Sequence, residues 1–343
     1  MEFVSEAPGQ TAAKLLQQPA GILGIGHAAP TRVVTNEQME QLVETSAEWI
    51  ESRTGIRERR LADDKVCSSD LGLEAARQAL ADARLTPDEI DLIIVATLTP
   101  DTLMPATACI IQEKLGARKA GAFDLAVACS GFVYALAVAD QFVRTRSVRN
   151  VLVVGADTLS RVTNFEDRST CVLFGDGAGA VVVGPVEEGS GILSFELGSD
   201  GSGGDLLVIP AGGGKKPGST YELTRPECCI QMEGKPVYRF AVSAIGEAAV
   251  KALEKSGLTA DDVTLFIPHQ ANLRIIEGAA KRLGVPMERV FVNVDRYGNT
   301  SNASIPIALW EARQEGRLSK GDVVVVVGFG GGLAWAAAVL RWS

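Results

Sequence analysis

Three side chains in this sequence could do chemistry together: Cys129, His269 and Asn299. Cys129 closes a strand-like run, Ala122 to Ala128, and opens a helix-like one, Ser130 to Leu136. A thiol at such a junction faces unpaired backbone N–H groups and the positive end of a helix, and both favour thiolate. The position makes a nucleophile. A cysteine taken alone is more often a small buried hydrophobe, so its companions must decide. His269 follows Pro268 at the end of a buried run, and Asn299 follows Gly298 in a turn pair. Either residue, read singly, is an ordinary structural one.

The elements that must position them come from a unit used twice. Shifted by 173 positions, Ala79-Leu80 meets Ala252-Leu253, Leu85-Thr86 meets Leu258-Thr259, and Asp88 meets Asp261, each stretch reading helix, turn, buried strand. The same shift carries Val151–Gly155 onto Val324–Gly328 and sets Cys129 opposite Asn302. One shift satisfied at two separated places implies duplicated α/β halves, expected over residues 19–185 and 186–343, with residues 1–18 as an N-terminal extension. Alternating buried strands and helices predict parallel sheets with helices outside them. Sites in such folds gather where strands end, and the turns there hold Cys129, His269, Asn299 and Gly330 to Gly332.

Composition sets limits. The chain has 343 residues, 46% hydrophobic and 22% charged, which suits a compact globular protein. Its net charge of −9 argues against nucleic acid as the main ligand, though a local basic face can still serve an acidic partner. The six cysteines form no C-x-x-C pair and only two histidines could join them, so no metal site is expected. The polar N-terminus does not read as a secretory signal, which makes the cytoplasm the expected compartment, with reduced thiols. Val323 to Leu340 carries no charge, but its valines and the interrupting Gly328, Gly330, Gly331 and Gly332 predict a buried hairpin and no membrane helix. Phe174–Ala180 lacks the Gly-Lys-Ser/Thr of a phosphate loop. Gly24-Ile25-Gly26 is followed by Pro30 where a dinucleotide fold needs a helix, so both glycine runs are expected to be turns.

Several motifs, in order, resemble the β-ketoacyl-acyl-carrier-protein synthase III group of the thiolase superfamily. They are Thr45–Ile50 with Arg53–Arg57, Ala128–Phe132, Phe174–Ala180, His269–Arg274, Gly298–Ser301 and Gly328–Gly332. The resemblance covers nearly all of the chain after residue 19. It implies a thiolase-like α/β fold whose two halves form a five-layered αβαβα sandwich. It also implies a reaction without a cofactor. Cys129 takes an acyl group from an acyl-CoA, malonyl-acyl carrier protein loses carbon dioxide, and the carbanion attacks the acyl thioester, which starts fatty acid synthesis. His269 and Asn299 would donate to the malonyl oxygen, and the backbone N–H groups of Cys129 and Gly331 would form an oxyanion hole. A single histidine beside the cysteine is the pattern of the initiating enzymes.

The resemblance also assigns the substrate ends. Trp49, Arg53 and Arg168 match positions that hold coenzyme A. Arg274, Lys281 and Arg282 fall on one helical face at i, i+7 and i+8, and with Arg239 they would meet the acidic carrier protein. Met104 matches the position that limits acyl length across a homodimer interface. Other readings stay open: a specialised acyltransferase of secondary metabolism, a plant-type polyketide or hydroxymethylglutaryl-CoA synthase, a cysteine hydrolase with the same three side chains, or a non-catalytic binding protein.

Overall fold

The computed structural model describes residues 18–343, so the expected extension lies, except for Gln18, outside the described residues. Thirteen strands are described: β1 Ala20–Ala28, β2 Val33–Thr35, β3 Glu58–Arg60, β4 Leu92–Ala96, β5 Gly121–Leu125, β6 Val151–Thr158, β7 Asp176–Pro185, β8 Gly191–Ser199, β9 Leu207–Val208, β10 Gln231–Met232, β11 Leu265–Pro268, β12 Val323–Gly330 and β13 Ala334–Arg341. One main sheet has the order β1-β7-β6-β4-β5 and the other β11-β12-β13-β8. Two short ribbons, β2 with β3 and β9 with β10, stand apart from them.

Side-chain alternation along the strands builds five layers. Val151 and Val153 of β6 join one core with Val324 and Val326 of β12, around the helices Gly131–Arg144 and Ser304–Gln314. Those two helices form the middle layer. Leu152 and Val154 face the opposite way, onto Leu71, Ala75 and Ala79 of the helix Ser68–Ala83. Val323, Val325 and Val327 face the helices Gly234–Ser256 and Leu273–Leu283. Two-sided burial explains why these strands read as unbroken valine and isoleucine runs.

The expectation of parallel sheets is corrected. β5, β4 and β6 run parallel, as do β11 and β12, but β7 and β13 each run antiparallel to both neighbours. Only Gly331, Gly332 and Leu333 join β12 to β13, too few residues for the crossover that a parallel pair needs. The hairpin predicted from Val323 to Leu340 is therefore what forces the reversal. The glycine runs are not turns either. Gly24 and Gly26 lie within β1 where the helix Ser68–Ala83 crosses it, and a Cβ at either would run into the backbone of Ala75, Ala79 or Ala83. Gly177 and Gly179 lie within β7, where a Cβ would meet the side chains of Ile307 and Pro306 of the middle-layer helix.

The shift of 173 is visible as matching elements. β4 corresponds to β11, β6 to β12, and the helix starting at Gly131 to the one starting at Ser304. Both helices are entered through a 3₁₀ turn, Ala128–Ser130 in one half and Ser301–Ala303 in the other. The first residue of each turn has a left-handed backbone, φ 43° at Ala128 and 50° at Ser301. These are costly for side chains bearing a Cβ, and their recurrence marks two matched elbows. One exposes Cys129 to a cavity. The other turns Asn302 onto the buried Asp157, whose Oδ2 accepts from the Asn302 N–H at 3.1 Å and from Nδ2 at 2.8 Å.

Candidate active site

Cys129 is wedged between its own helix and β12 of the other half. A Cβ added to Gly330 would lie 2.6 Å from the Cys129 nitrogen, and one on Gly328 would lie 3.0 Å from its carbonyl oxygen. Glycine is required there because strand and elbow touch through their backbones. The close fit leaves Cys129 only 8% exposed. Burial pushes the thiol up to about 12, with the Asp157 charge adding to the rise and the Ser301 hydroxyl opposing it. The thiolate expected from the helix terminus is thus corrected: desolvation outweighs the partial charge of a helix end.

His269 follows β11 directly, and its N–H donates to the Val327 carbonyl of β12 at 2.7 Å. The ring lies edge-on to Phe329, with centroids 5.4 Å apart, and its Nδ1 is 2.6 Å from Ser304 Oγ. Burial lowers its pKa to about 3, which keeps the imidazole neutral. Asn299 enters by another route. Where the first half places β5, the second has the short helix Val294–Tyr297, which delivers Asn299 beside Phe174. The Asn299 N–H donates to the Leu173 carbonyl at 2.8 Å, and its carbonyl accepts from the Gly175 N–H at 3.0 Å. Asn299 Oδ1 accepts from the Ser301 N–H at 2.9 Å. A backbone N–H must meet the oxygen, so the amide nitrogen is left as a donor.

Cys129, His269 and Asn299 line one cavity of about 760 Å³, together with Gly331 and Arg53. The rest of the wall is mainly apolar, including Leu98, Leu159, Phe174, Leu207, Ile209 and Ile230. Neither the Cys129 N–H nor the Gly331 N–H donates to another residue among the described residues, and both residues line the cavity. Among the described residues no group of three or more His, Cys, Asp or Glu side chains could hold a metal ion. Such a site, with a nucleophile, four neutral donors and a dry wall, suits acyl transfer through a thioester.

Comparison with known proteins decides between the readings of that chemistry. Residues 123–201 match the family model of 3-oxoacyl-[acyl-carrier-protein (ACP)] synthase III, and residues 253–342 match its C-terminal model. The β-ketoacyl-[acyl-carrier-protein] synthase III of Desulfitobacterium hafniense is 54% identical over 323 residues, covering 94% of this chain and 98% of the relative. The chain belongs to the β-ketoacyl-acyl-carrier-protein synthase III family.

Solved structures of the family agree with this fold. The synthase III of Aquifex aeolicus superposes with a TM-score of 0.87 at 46% identity, over 94% of this chain and all of the other. The priming β-ketosynthase of the R1128 polyketide pathway has a TM-score of 0.90 at 39% identity, covering 95% and 97% of the two chains. The fold is the thiolase-like α/β one expected.

The structure distributes the remaining family-matched residues unevenly. The helix Ala47–Thr54, capped by Ser46 and ended by Gly55 with φ 78°, carries Trp49 and Arg53. Arg168 does not line the cavity. Its guanidinium lies 5.0 Å from the centre of the Trp49 ring, and its Nη1 donates to the Glu44 carbonyl at 3.2 Å. On the helix Leu273–Leu283, the predicted apolar positions Ile275, Ile276 and Leu283 are buried and the three cations are exposed. Two of these cations have local partners: Arg274 Nη2 donates to the Ser52 carbonyl at 2.8 Å, and Arg282 pairs with Glu247 at 2.6 Å. Lys281 and Arg239 are exposed. Met104 is 87% exposed and lies outside the cavity of its own chain. The sequence reading missed Ser301, Ser304 and Asp157. The shift of 173 places Ser301 opposite Ala128 and Ser304 opposite Gly131, a signal that could have marked the first two.

Proposed function

We propose that this protein is a β-ketoacyl-acyl-carrier-protein synthase III that starts fatty acid synthesis, with Cys129, His269 and Asn299 as its reacting groups. The observation that supports the assignment of residues is their convergence on one mainly apolar cavity that Gly331 also lines. Cys129 Sγ attacks the acyl-CoA carbonyl, the tetrahedral oxyanion is held by the Cys129 and Gly331 N–H groups, and coenzyme A departs with the thiol proton. Malonyl-carrier protein then loses carbon dioxide, and its thioester oxygen, becoming an enolate, is held by neutral His269 and the Asn299 amide. The enolate carbon attacks the acyl thioester, and collapse releases 3-oxoacyl-carrier protein and the Cys129 thiolate, which regains a proton. Each oxyanion donor is worth about 3–4 kcal/mol of activation free energy.

Trp49, Arg53 and Arg168 would hold the nucleotide of coenzyme A, and Arg168 must move off the indole to admit adenine between them. Arg239 and the three cations of the helix Leu273–Leu283, Arg274, Lys281 and Arg282, are the groups offered to the carrier protein. We further propose a homodimer with a division of each chain near Pro185. β5 is the outer strand of its sheet, and Leu103 and Met104 are 89% and 87% exposed. A second copy would cover these groups and bring its Met104 against the partner's acyl cavity. No described helix is long and apolar enough to cross a membrane. The six cysteines are unpaired, in keeping with the reducing cytoplasm that we propose as its site of action.

The test is to incubate the protein with a panel of acyl-CoAs, locate the acylated residue by peptide mass, then add malonyl-carrier protein and follow carbon dioxide and product. Acyl-Cys129 that converts to 3-oxoacyl product is expected. Acylation of another residue, or thioester hydrolysis without condensation, would overturn the reading.

A further inference from the structure

We propose that Ser304 is a positioning residue that fixes the tautomer of His269, holding the proton on Nε2 so that the ring can donate into the cavity. The inference rests on the reading of His269 as an oxyanion donor given above. Ser304 Oγ and His269 Nδ1 are 2.6 Å apart, and the two residues are 2% and 1% exposed. One of the two atoms donates to the other, and counting the buried groups settles which. Ser304 Oγ has no other hydrogen-bond partner among the described residues. If Nδ1–H donated to it, the hydroxyl hydrogen would be buried without an acceptor, and the Nε2 lone pair would face the substrate oxyanion. If the hydroxyl donates to Nδ1, both buried atoms are satisfied and Nε2–H becomes the group that substrate meets. Leaving a buried polar group unpaired is the more costly alternative, so the second arrangement holds.

Tautomer matters because the ring is neutral. A protonated imidazole would donate from both nitrogens whatever its neighbours, whereas burial keeps His269 uncharged and only one nitrogen carries hydrogen. The remaining contacts on the ring restrain it without selecting a tautomer: the His269 N–H to Val327 holds the backbone, and Phe329 abuts the ring edge. Ser304 opens the middle-layer helix Ser304–Gln314, so the orientation of the hydroxyl is set by the core of the fold.

The chain has only two histidines, which makes the test direct. In long-range ¹⁵N–¹H spectra of histidine-labelled protein, with His27→Asn used to assign the signals, His269 Nδ1 should appear as an unprotonated, hydrogen-bonded nitrogen and Nε2 as the protonated one. Protonated Nδ1 would overturn the proposal. In kinetics, Ser304→Ala should lower malonyl-carrier protein decarboxylation by about tenfold to a hundredfold, the usual effect of losing such a partner, while Cys129 acylation changes less than threefold. Ser304→Thr, which keeps the hydroxyl, should restore the rate. Equal losses in both half-reactions, or none in either, would sink the idea. His269→Ala separates the two readings: if it too leaves decarboxylation intact, the oxyanion role itself has failed, whereas loss in His269→Ala with a wild-type Ser304→Ala defeats only the tautomer claim. If Ser304→Ala does not fold, the spectrum of the unsubstituted protein still decides.

Discussion

Alkylation of Cys129 as a function of pH tests the electrostatics of the site without requiring turnover. Burial raises this thiol from an ordinary 9.0 to about 12. At pH 7 that leaves roughly one thiolate in 10⁵, against roughly one in 10² for an unperturbed group, a penalty of about 4 kcal/mol. Because the anion is the nucleophile, the rate of carbamidomethylation at Cys129 should rise tenfold per pH unit from pH 6 to pH 10 with no plateau. Peptide mass measurement would follow it, with exposed Cys109 as an internal standard in the same sample. Asp157→Asn removes one cause of the rise, so the curve should move to lower pH without changing slope. A plateau near neutral pH would refute the reasoning. It would mean that Cys129 and His269 share a proton as an ion pair, which is how a cysteine hydrolase arms its thiol and is incompatible with a neutral, donating imidazole. The same shift has a thermodynamic consequence. A folded pKa above the ordinary value gives stability that is present below pH 9 and is lost as pH climbs toward about 12.

Three further outcomes follow from other contacts. His269 is held neutral with a pKa near 3 against an ordinary 6.5, so its contribution to stability is full above pH 6.5 and is lost as pH falls toward 3. The loss amounts to at most about 5 kcal/mol, and His269→Gln should flatten that acid limb in urea titrations; an unchanged limb would assign acid sensitivity to other groups. Asp140, Asp157 and Asp176 work against it, since burial raises their pKa values and acid favours their folded forms. In Gly330→Ala the new methyl lies 2.6 Å from the Cys129 nitrogen, so the elbow must shift and acylation should fall about a hundredfold. A wild-type acylation rate would show that strand and elbow separate freely. Met104→Phe should narrow primer use toward acetyl-CoA in competition between acyl-CoAs, and unchanged selectivity would remove Met104 from the acyl pocket.

Much of this arrangement is legible in the sequence because the fold repeats. Val151–Gly155 and Val324–Gly328 announce matched central strands, and the shift that aligns them also aligns the elbows at Ala128 and Ser301. Strand direction is harder to read, since β7 and β13 are as apolar as their parallel neighbours and only the short link from Gly331 to Leu333 betrays a reversal. The state of the thiol is not legible. A helix terminus can be recognised from the chain, but the desolvation that overrides it arises from Gly328 and Gly330, two hundred residues away, closing over Cys129. Partners of buried polar groups are hidden for the same reason. Nothing local marks Ser304 as the neighbour of His269 or Asp157 as the anchor of Asn302.

Duplication also explains why one site results from two equivalent elbows. Cys129 and Asn302 occupy matching places, yet only one faces the cavity, because Asp157 at the end of β6 binds Asn302 through both its N–H and its amide. That carboxylate is fully buried and accepts further hydrogen bonds from Thr97, Leu98 and Thr99, so its interactions hold the second elbow against the first sheet. With Asn302 committed, the second half contributes from its flanks instead: His269 from the end of β11, and Asn299 from the short helix that replaces a fifth strand. On the mechanism proposed above, the first half supplies the sulfur and one backbone donor, and the second supplies three neutral donors, His269, Asn299 and the Gly331 N–H, for anions formed on the substrate. An acidic group or a charged imidazole on that second wall would upset the balance, either repelling the enolate or trapping the thiolate.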